Sequence, residues 1–199
     1  MEILHGEGSD FFTGHVLDNM TGKQVAVLRK EFDEIEYTRQ IYCLGKFYND
    51  ALIGLENNFS TYPTNKLEEL GYKKQFIREV EDTYTNKLEK RLGFKTTSVT
   101  RPLILANLQQ IVLEEANKIN DRDTLEEMLI FVRNEKGRPE AQEGGHDDLV
   151  MGLAIAYYIR EQQSFKLLPA QERPLAPSVD AWGMKPRYKG DYGSEIQVI

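Results

Sequence analysis

Apolar and polar positions follow two different periods in the first quarter of the chain. Residues 12–18 and 23–32 have strand-like patterns and flank the turn Asn19-Met20-Thr21-Gly22, so they predict a β-hairpin. Residues 34–48 switch to helical spacing. The apolar stripe of this predicted helix is formed by Tyr37, Ile41, Leu44 and Tyr48.

Helices and strands alternate from there to residue 163. The predicted elements are a strand over 51–56, a helix over 64–70, a strand over 75–80, a helix that opens at Thr100-Arg101-Pro102 with Thr100 as its cap, a strand over 128–133 and a last helix from about Asp147 to Gln162. Charged residues 81–99 predict an inserted hairpin or a long loop. This order predicts an α/β domain over residues 1–163, with helices on both faces of a mixed central sheet. Prolines interrupt residues 164–199, which we interpret as an extended tail.

Composition indicates a globular chain with an acidic balance. The 199 residues are 40% hydrophobic and 29% charged, and the formal net charge is −7. Nucleic-acid-binding proteins usually carry a basic face, but a nuclease is compatible with this charge because bound cations reverse its sign locally. No apolar stretch approaches the ~20 residues that span a bilayer. The single cysteine, Cys43, predicts a buried thiol and fits a cytoplasmic location.

The segment GGHDDLVM, residues 144–151, carries the densest candidate chemistry. It places His146 and the adjacent carboxylates of Asp147 and Asp148 at the start of the apolar last helix. Another acid, Glu56, ends the predicted strand over 51–56. Acids at a strand end and a helix start can share Mg²⁺ or Mn²⁺, which prefer oxygen ligands, and two such ions can drive phosphodiester hydrolysis.

The two aspartates are not equivalent, because neighbours on a helix point about 100° apart and at most one faces a metal squarely. We favour Asp148 as the ligand and Asp147 as the cap. The alternative is that both only stabilise the helix N-terminus and that Glu56 is a solvated strand end. His146 either binds metal, orients a water or belongs to the cap.

Two other charged groups have less specific patterns. Glu126 and Glu127 are interpreted as a solvated helix face. The basic positions in the predicted insertion form either an ordinary charged hairpin or phosphate contacts with duplex DNA. These positions are Lys87, Lys90, Arg91 and Lys95.

Four stretches, in this order, resemble the C-terminal nuclease domain of tailed-phage terminase large subunits, which is ribonuclease H-like. They are GEGSDF at 6–11 with HVLD at 15–18, LIGLENN at 52–58, GFKTT at 93–97 with RPLI at 101–104, and GR at 137–138 with HDDLVM at 146–151. The resemblance covers roughly residues 6–162 of the chain.

This resemblance implies a ribonuclease H-like fold and a metal-dependent endonuclease that cleaves double-stranded viral DNA during genome packaging. It implies that Glu56 and Asp148 or Asp147 hold two Mg²⁺ or Mn²⁺ ions and that His146 assists catalysis. The implied partners are duplex DNA, an ATPase motor domain, a portal protein and a small terminase subunit in the cytoplasm of a bacterial host, with no membrane. No groove-reading motif is present, so we expect sequence-tolerant cleavage.

The chain departs from the family at its start. Glu2, directly after Met1, stands where the family has its first aspartate, and no Gly-x-x-x-x-Gly-Lys-Ser/Thr loop of the ATPase occurs. We therefore expect a nuclease domain that is truncated at its first strand. Two other hypotheses stay open: another ribonuclease H-like nuclease, such as a junction resolvase acting on branched DNA, and a non-catalytic DNA- or portal-binding prophage remnant.

Overall fold

The computed structural model describes residues 11–31, 33–81, 87–133, 137, 139–142, 145–163 and 196–198. Within these ranges the fold is mixed α/β, as predicted. Its elements are β1 (Phe12–Leu17), β2 (Gln24–Lys30), α1 (Glu34–Phe47), α2 (Tyr62–Glu69), β3 (Ile77–Glu81), β4 (Leu88–Leu92), α3 (Thr100–Glu115), α4 (Arg122–Leu129), β5 (Phe131–Arg133), β6 (Pro139–Ala141), α5 (Asp148–Ile159) and β7 (Ile196–Val198), with 3-10 turns at Ala116–Lys118 and Arg160–Gln162. Among the described residues, no helix has the length and apolarity that crossing a membrane requires.

The chain forms two compact units, each built from separate stretches of sequence. The first unit draws on residues 1–32, 102–158 and 188–199, and the second on residues 33–101 and 159–187. The Glu2 position and the expected first strand lie outside the described residues.

The predicted hairpin is confirmed in the first unit. β1 and β2 pair antiparallel from Phe12 opposite Lys30 onward. Asp18 closes the turn, because its carboxylate accepts from the Met20 amide at 3.0 Å and from the Thr21 hydroxyl at 2.6 Å. Asx-turn bonds of this kind are the reason that aspartate is frequent at turns.

The predicted tail supplies a strand that its proline pattern did not indicate. β7 pairs antiparallel with β2, so the sheet order is β1-β2-β7 and β2 has a neighbour on each edge. The buried residues of β2 are Gln24, Ala26, Val27 and Leu28. The other residues of the predicted tail, 164–195 and 199, lie outside the described ranges.

Helix α5 packs against the hairpin. The Tyr157 hydroxyl donates to the Gly22 carbonyl at 3.0 Å. Gly152 permits a close approach of β1, because a Cβ there would lie 2.9 Å from the Thr13 hydroxyl oxygen. The apolar residues of α5 that are at most 2% exposed are Leu149, Val150, Leu153 and Ala154. Their burial supplies the hydrophobic stabilisation that the apolar sequence of this helix predicted.

A fully buried glutamine joins the hairpin to α4. The Gln24 side-chain oxygen accepts from the backbone amides of Asn120 and Asp121, each at 2.9 Å. Its side-chain nitrogen lies 2.8 Å from Nδ1 of His15. Asp121 then caps α4, accepting from the amide and hydroxyl of Thr124.

The second unit contains the predicted helix α1, which begins after the cap Asp33. The Asp33 carboxylate accepts from the Glu36 amide at 2.7 Å. Cys43 on this helix is buried, as predicted. Gly45 leaves room for the Tyr72 ring, whose hydroxyl donates to the Ala51 carbonyl at 2.6 Å.

The predicted strand over 51–56 is extended but does not form a ladder. It makes two isolated parallel bridges, Ile53 with Gln75 and Glu56 with Phe94. The described strands therefore form small separate antiparallel sheets, and the single mixed central sheet that we expected is not seen among them.

The predicted insertion over 81–99 contains β4, which pairs antiparallel with β3. Helix α3 opens at Thr100 as predicted, but the capping residue is Thr97. Its hydroxyl accepts from the Thr100 amide at 3.1 Å, and its carbonyl accepts from the Arg101 amide at 3.0 Å. The Thr100 hydroxyl accepts from the Thr97 amide in return, which makes a capping-box arrangement between two threonines.

We expect Gln24→Leu to destabilise the protein by about 2–3 kcal/mol, because it leaves the buried Asp121 amide and the partly buried Asn120 amide without this acceptor. Chemical denaturation measures the free energy of unfolding. Gln109→Leu on the exposed side of α3 is the matched control and should stay within ~0.5 kcal/mol of wild type. Equal stabilities for the two variants would show that Gln24 does not hold α4.

Candidate functional site

Glu56 in the second unit is exposed, although the run that leads to it is buried at Ile53 and Leu55. The Phe94 amide donates to the Leu55 carbonyl at 2.7 Å, and the Asn57 amide donates to the Phe94 carbonyl at 2.8 Å. These bonds bracket Glu56 and orient its backbone. The predicted acid is thus held at the end of an extended segment with its side chain open to solvent.

Two asparagines after Glu56 clamp it to the segment over 92–96. Asn57 donates to the Leu92 carbonyl at 3.0 Å and accepts from the Thr64 hydroxyl at 2.7 Å. Asn58 makes a paired contact with the Thr96 backbone, accepting from its amide at 3.0 Å and donating to its carbonyl at 2.9 Å. In this paired contact the side-chain amide of Asn58 takes the place that a backbone peptide group has in strand pairing.

Tyr37 on α1 lies within electrostatic reach of Glu56. Burial, and next the Glu56 charge, raise the pKa of the Tyr37 phenol above its ordinary value. Both effects disfavour a second negative charge here, so this phenol stays protonated. Sequence analysis treated Tyr37 only as part of an apolar stripe.

Gly93 is the tightest point of the Asn57 clamp. Its φ is +78°, and a Cβ there would lie 2.2 Å from the Asn57 side-chain nitrogen. We expect Gly93→Ala to lower the free energy of unfolding by ~1–3 kcal/mol more than Gly71→Ala does. Gly71 is the matched control because its φ is +75° and nothing lies within 4 Å of its added Cβ. If both variants lose the same free energy of unfolding, the Asn57 contacts adjust to the added Cβ without destabilising the protein.

The other predicted acids lie in the first unit, where α5 begins at Asp148. The Asp147 carbonyl accepts from the Met151 amide at 2.8 Å, which makes Asp147 the residue at the N-cap position, as predicted. The Asp148 carboxylate accepts from the Phe11 amide at 3.3 Å. The Thr13 hydroxyl donates to the Asp148 carbonyl at 3.0 Å, so β1 holds this residue through side chain and backbone.

His146 lies beside the same carboxylate. Its Nδ1 is 3.8 Å from Oδ2 of Asp148, and the two side chains are 33% and 24% exposed. The Phe11 ring meets the His146 ring edge-on, with centroids 5.6 Å apart, and the Arg29 guanidinium lies 4.4 Å from the Phe11 centroid. An aromatic ring therefore packs between a histidine and a guanidinium at the start of α5.

Glu127 on α4 is the residue that sequence analysis missed. It was interpreted as part of a solvated face, but it is 6% exposed and accepts from the Val150 amide of α5 at 2.9 Å. Burial raises the pKa of its carboxyl, although bonds from the amides of Val150 and Leu149 act in the opposite direction. Glu127 follows the buried Thr124 by three positions, so both lie on the inner face of α4, but the sequence carries no signal for the burial of either residue.

His15 lies beneath the start of α5. Burial lowers the pKa of its imidazole to about 4, although Asp121 and the Leu149 backbone oppose this shift. Nδ1 of His15 faces the Gln24 side-chain nitrogen, which can only donate a hydrogen bond. The imidazole is therefore neutral, with Nδ1 as the acceptor. In the unfolded chain the His15 imidazole binds a proton below about pH 6.5, whereas in the folded chain it does so only below about pH 4.

We therefore expect stability to fall as the pH drops from 6.5 towards 4, because the unfolded chain binds more protons in that window. The contribution of His15 should approach ~1.4 kcal/mol per pH unit. Denaturation at several pH values should show a smaller slope for His15→Asn, which keeps an acceptor for Gln24 but does not titrate. An unchanged slope would contradict a buried neutral His15.

The four basic positions are all exposed, but they do not form one positive face. Lys90 lies opposite Glu79, while Arg91 lies opposite Arg78 and is 3.0 Å from the Glu89 carboxylate. The other two, Lys87 and Lys95, lie just outside β4. Charges of both signs are therefore interleaved on this hairpin.

The site residues are thus divided between the two units, with Glu56 in the second and His146, Asp147 and Asp148 in the first. Within the described ranges, no group of three or more histidine, cysteine, aspartate or glutamate side chains is arranged to hold a metal ion. No protein-family model matches the chain.

Proposed function

We propose that this chain is the metal-dependent endonuclease domain of a tailed-phage terminase large subunit, acting on double-stranded DNA. The proposal rests on the ordered resemblance of four sequence stretches. The observation that supports it most directly is the start of α5, where Asp148 is held by the Phe11 amide and lies beside His146. A carboxylate that is held in place and partly exposed is better suited to bind a ligand than a surface carboxylate that only contacts water.

The donor atoms fit the metals that the resemblance implies. Glu56 and Asp148 offer carboxylate oxygens, and Mg²⁺ and Mn²⁺ prefer such hard donors. Both side chains are reachable from solvent. In the proposal Glu56 and Asp148, with Asp147 as the alternative, would be the ligands of two ions, which when bound would supply charge stabilisation and an activated water.

The protein groups around these acids have separate tasks. Asn57 and Asn58 orient Glu56, and neutral Tyr37 adds no competing charge. Phe11 and Thr13 orient Asp148, while His146 is positioned to hold or pass a proton at its ring nitrogens. By the same resemblance, we propose an ATPase motor, a portal protein and a small terminase subunit as partners.

We expect the purified chain to nick supercoiled plasmid in Mn²⁺ at least as well as in Mg²⁺, and to stop when EDTA is added. Glu56→Gln and Asp148→Asn should each lower the rate by about tenfold or more, because each removes a charged ligand. The measurement is the initial rate of plasmid nicking with protein in excess.

Two control variants remove the same negative charge from exposed acids outside the proposed site. Glu69→Gln and Asp50→Asn should cut at the wild-type rate, since they lose only surface ion pairs with Lys66 and Lys46. Cleavage with all metal chelated, or full activity of both site variants, would refute the mechanism. Preference for four-way junctions over linear duplex would favour a resolvase instead.

A further inference from the structure

The start of α5 is held by a side chain from another helix. Glu127 projects from α4 and is 6% exposed, whereas its neighbour Glu126 is exposed and pairs with Arg122 at 2.7 Å. Oε1 of Glu127 accepts from the Val150 amide at 2.9 Å. A carboxylate at this point satisfies a first-turn N–H that no helical carbonyl reaches, and it complements the helix dipole.

This contact acts directly on the proposed ligands, because Val150 follows Asp147 and Asp148 by only two or three positions. The opposite side of the same turn is fixed by β1, through the bond from Thr13 to the Asp148 carbonyl. The first turn of α5 is therefore held from two directions. A shift of this turn would move both aspartates together, since their Cβ directions follow the backbone.

Glu127 is itself unsuited to ligate an ion. It is buried and accepts from the backbone amides of Val150 and Leu149, whereas a hydrated cation needs carboxylate oxygens that it can reach. It lies close enough to Asp148 for the two charges to interact. Its role through the hydrogen bond and its role through charge can be separated, because a glutamine can accept the same bond without the charge.

We propose that Glu127 is a positioning residue, which sets the geometry of Asp147 and Asp148 by holding the first turn of α5. This inference rests on the proposed nuclease function. It assigns the role to the hydrogen bond with Val150 rather than to the negative charge. Groups that orient metal ligands commonly change metal affinity or activity by 10–100-fold, roughly, when removed.

The test compares Glu127→Gln, Glu127→Asp and Glu127→Ala with Glu126→Ala as the matched control on the same helix. Three readouts are used: Mn²⁺ affinity by calorimetry, the plasmid-nicking rate in saturating Mn²⁺, and hydrogen exchange of the Val150 amide. Glu127→Gln and Glu126→Ala should stay within about threefold of wild type. Glu127→Asp, one methylene too short, and Glu127→Ala should lose about tenfold or more in affinity or rate and expose the Val150 amide to exchange.

The outcomes distinguish this inference from its alternatives. If Glu127→Gln loses as much as Glu127→Ala, charge rather than position is responsible and the inference fails. If Glu127→Asp and Glu127→Ala lower only the thermal midpoint and keep affinity and rate, Glu127 is merely structural and the inference also fails. Should Glu127→Ala not fold, Glu127→Asp and Glu127→Gln decide.

A wild-type chain that binds Mn²⁺ but cuts no DNA would contradict the proposed function alone. In that case Mn²⁺ affinity and Val150 exchange in the variants still decide the role of Glu127. A wild-type chain that neither binds Mn²⁺ nor cuts DNA would overturn both.

Discussion

The first unit depends on the hydrogen bonds of the buried Gln24 side-chain amide. This amide binds the backbone at Asn120 and Asp121 and meets His15, so it fixes where α4 begins relative to the hairpin. Asp121 then caps α4, and this helix carries Glu127 to the start of α5. The position of the acids on α5 therefore traces back through one helix to a neutral amide on β2. A buried amide can do this without desolvating a charge, which would cost far more.

Neutral amides serve the second unit in the same way. Asn57 and Asn58 hold the segment that carries Glu56, and each uses both its donor and its acceptor. Asparagine adds no charge beside Glu56, and the nearby Tyr37 phenol stays protonated. The first unit differs in this respect, because the buried carboxylate of Glu127 also holds the turn that carries Asp148.

Local patterns predicted the local structure well. The β1–β2 hairpin, the span of α1 and the opening of α3 were readable because their signals lie within a few residues, as in the Asp18 turn. The features that were missed depend on distant partners. Glu127 looks solvated until the backbone of α5 is placed beside it, and β7 lies in a proline-rich stretch whose pairing with β2 has no local signal.

The sequence indicated candidate acids but not their surroundings. Sequence alone indicated Glu56, Asp147 and Asp148 as candidates and favoured Asp147 at the N-cap position, where it lies. It could not indicate that Phe11 binds Asp148 or that Thr97 rather than Thr100 caps α3. It also predicted a continuous strand at 51–56, where the structure has only two isolated bridges. Residue types indicate which chemistry is possible. The contacts that orient these side chains come from packing between segments that are distant in the sequence.

The interleaving of the two units in the sequence has a consequence for how the chain folds during synthesis. The β1–β2 hairpin is synthesised before the other segments of its unit, and the β7 edge of β2 finds its partner only after residues 196–198 are made. The second unit likewise waits for Gln162 and Gln163, whose side chains bind the backbone of Ile77 and Leu52. The β2 edge that β7 covers therefore stays unpaired until residues 196–198 have been made. Such edges invite intermolecular pairing, and we expect the yield of native protein to depend on translation speed and chaperone supply.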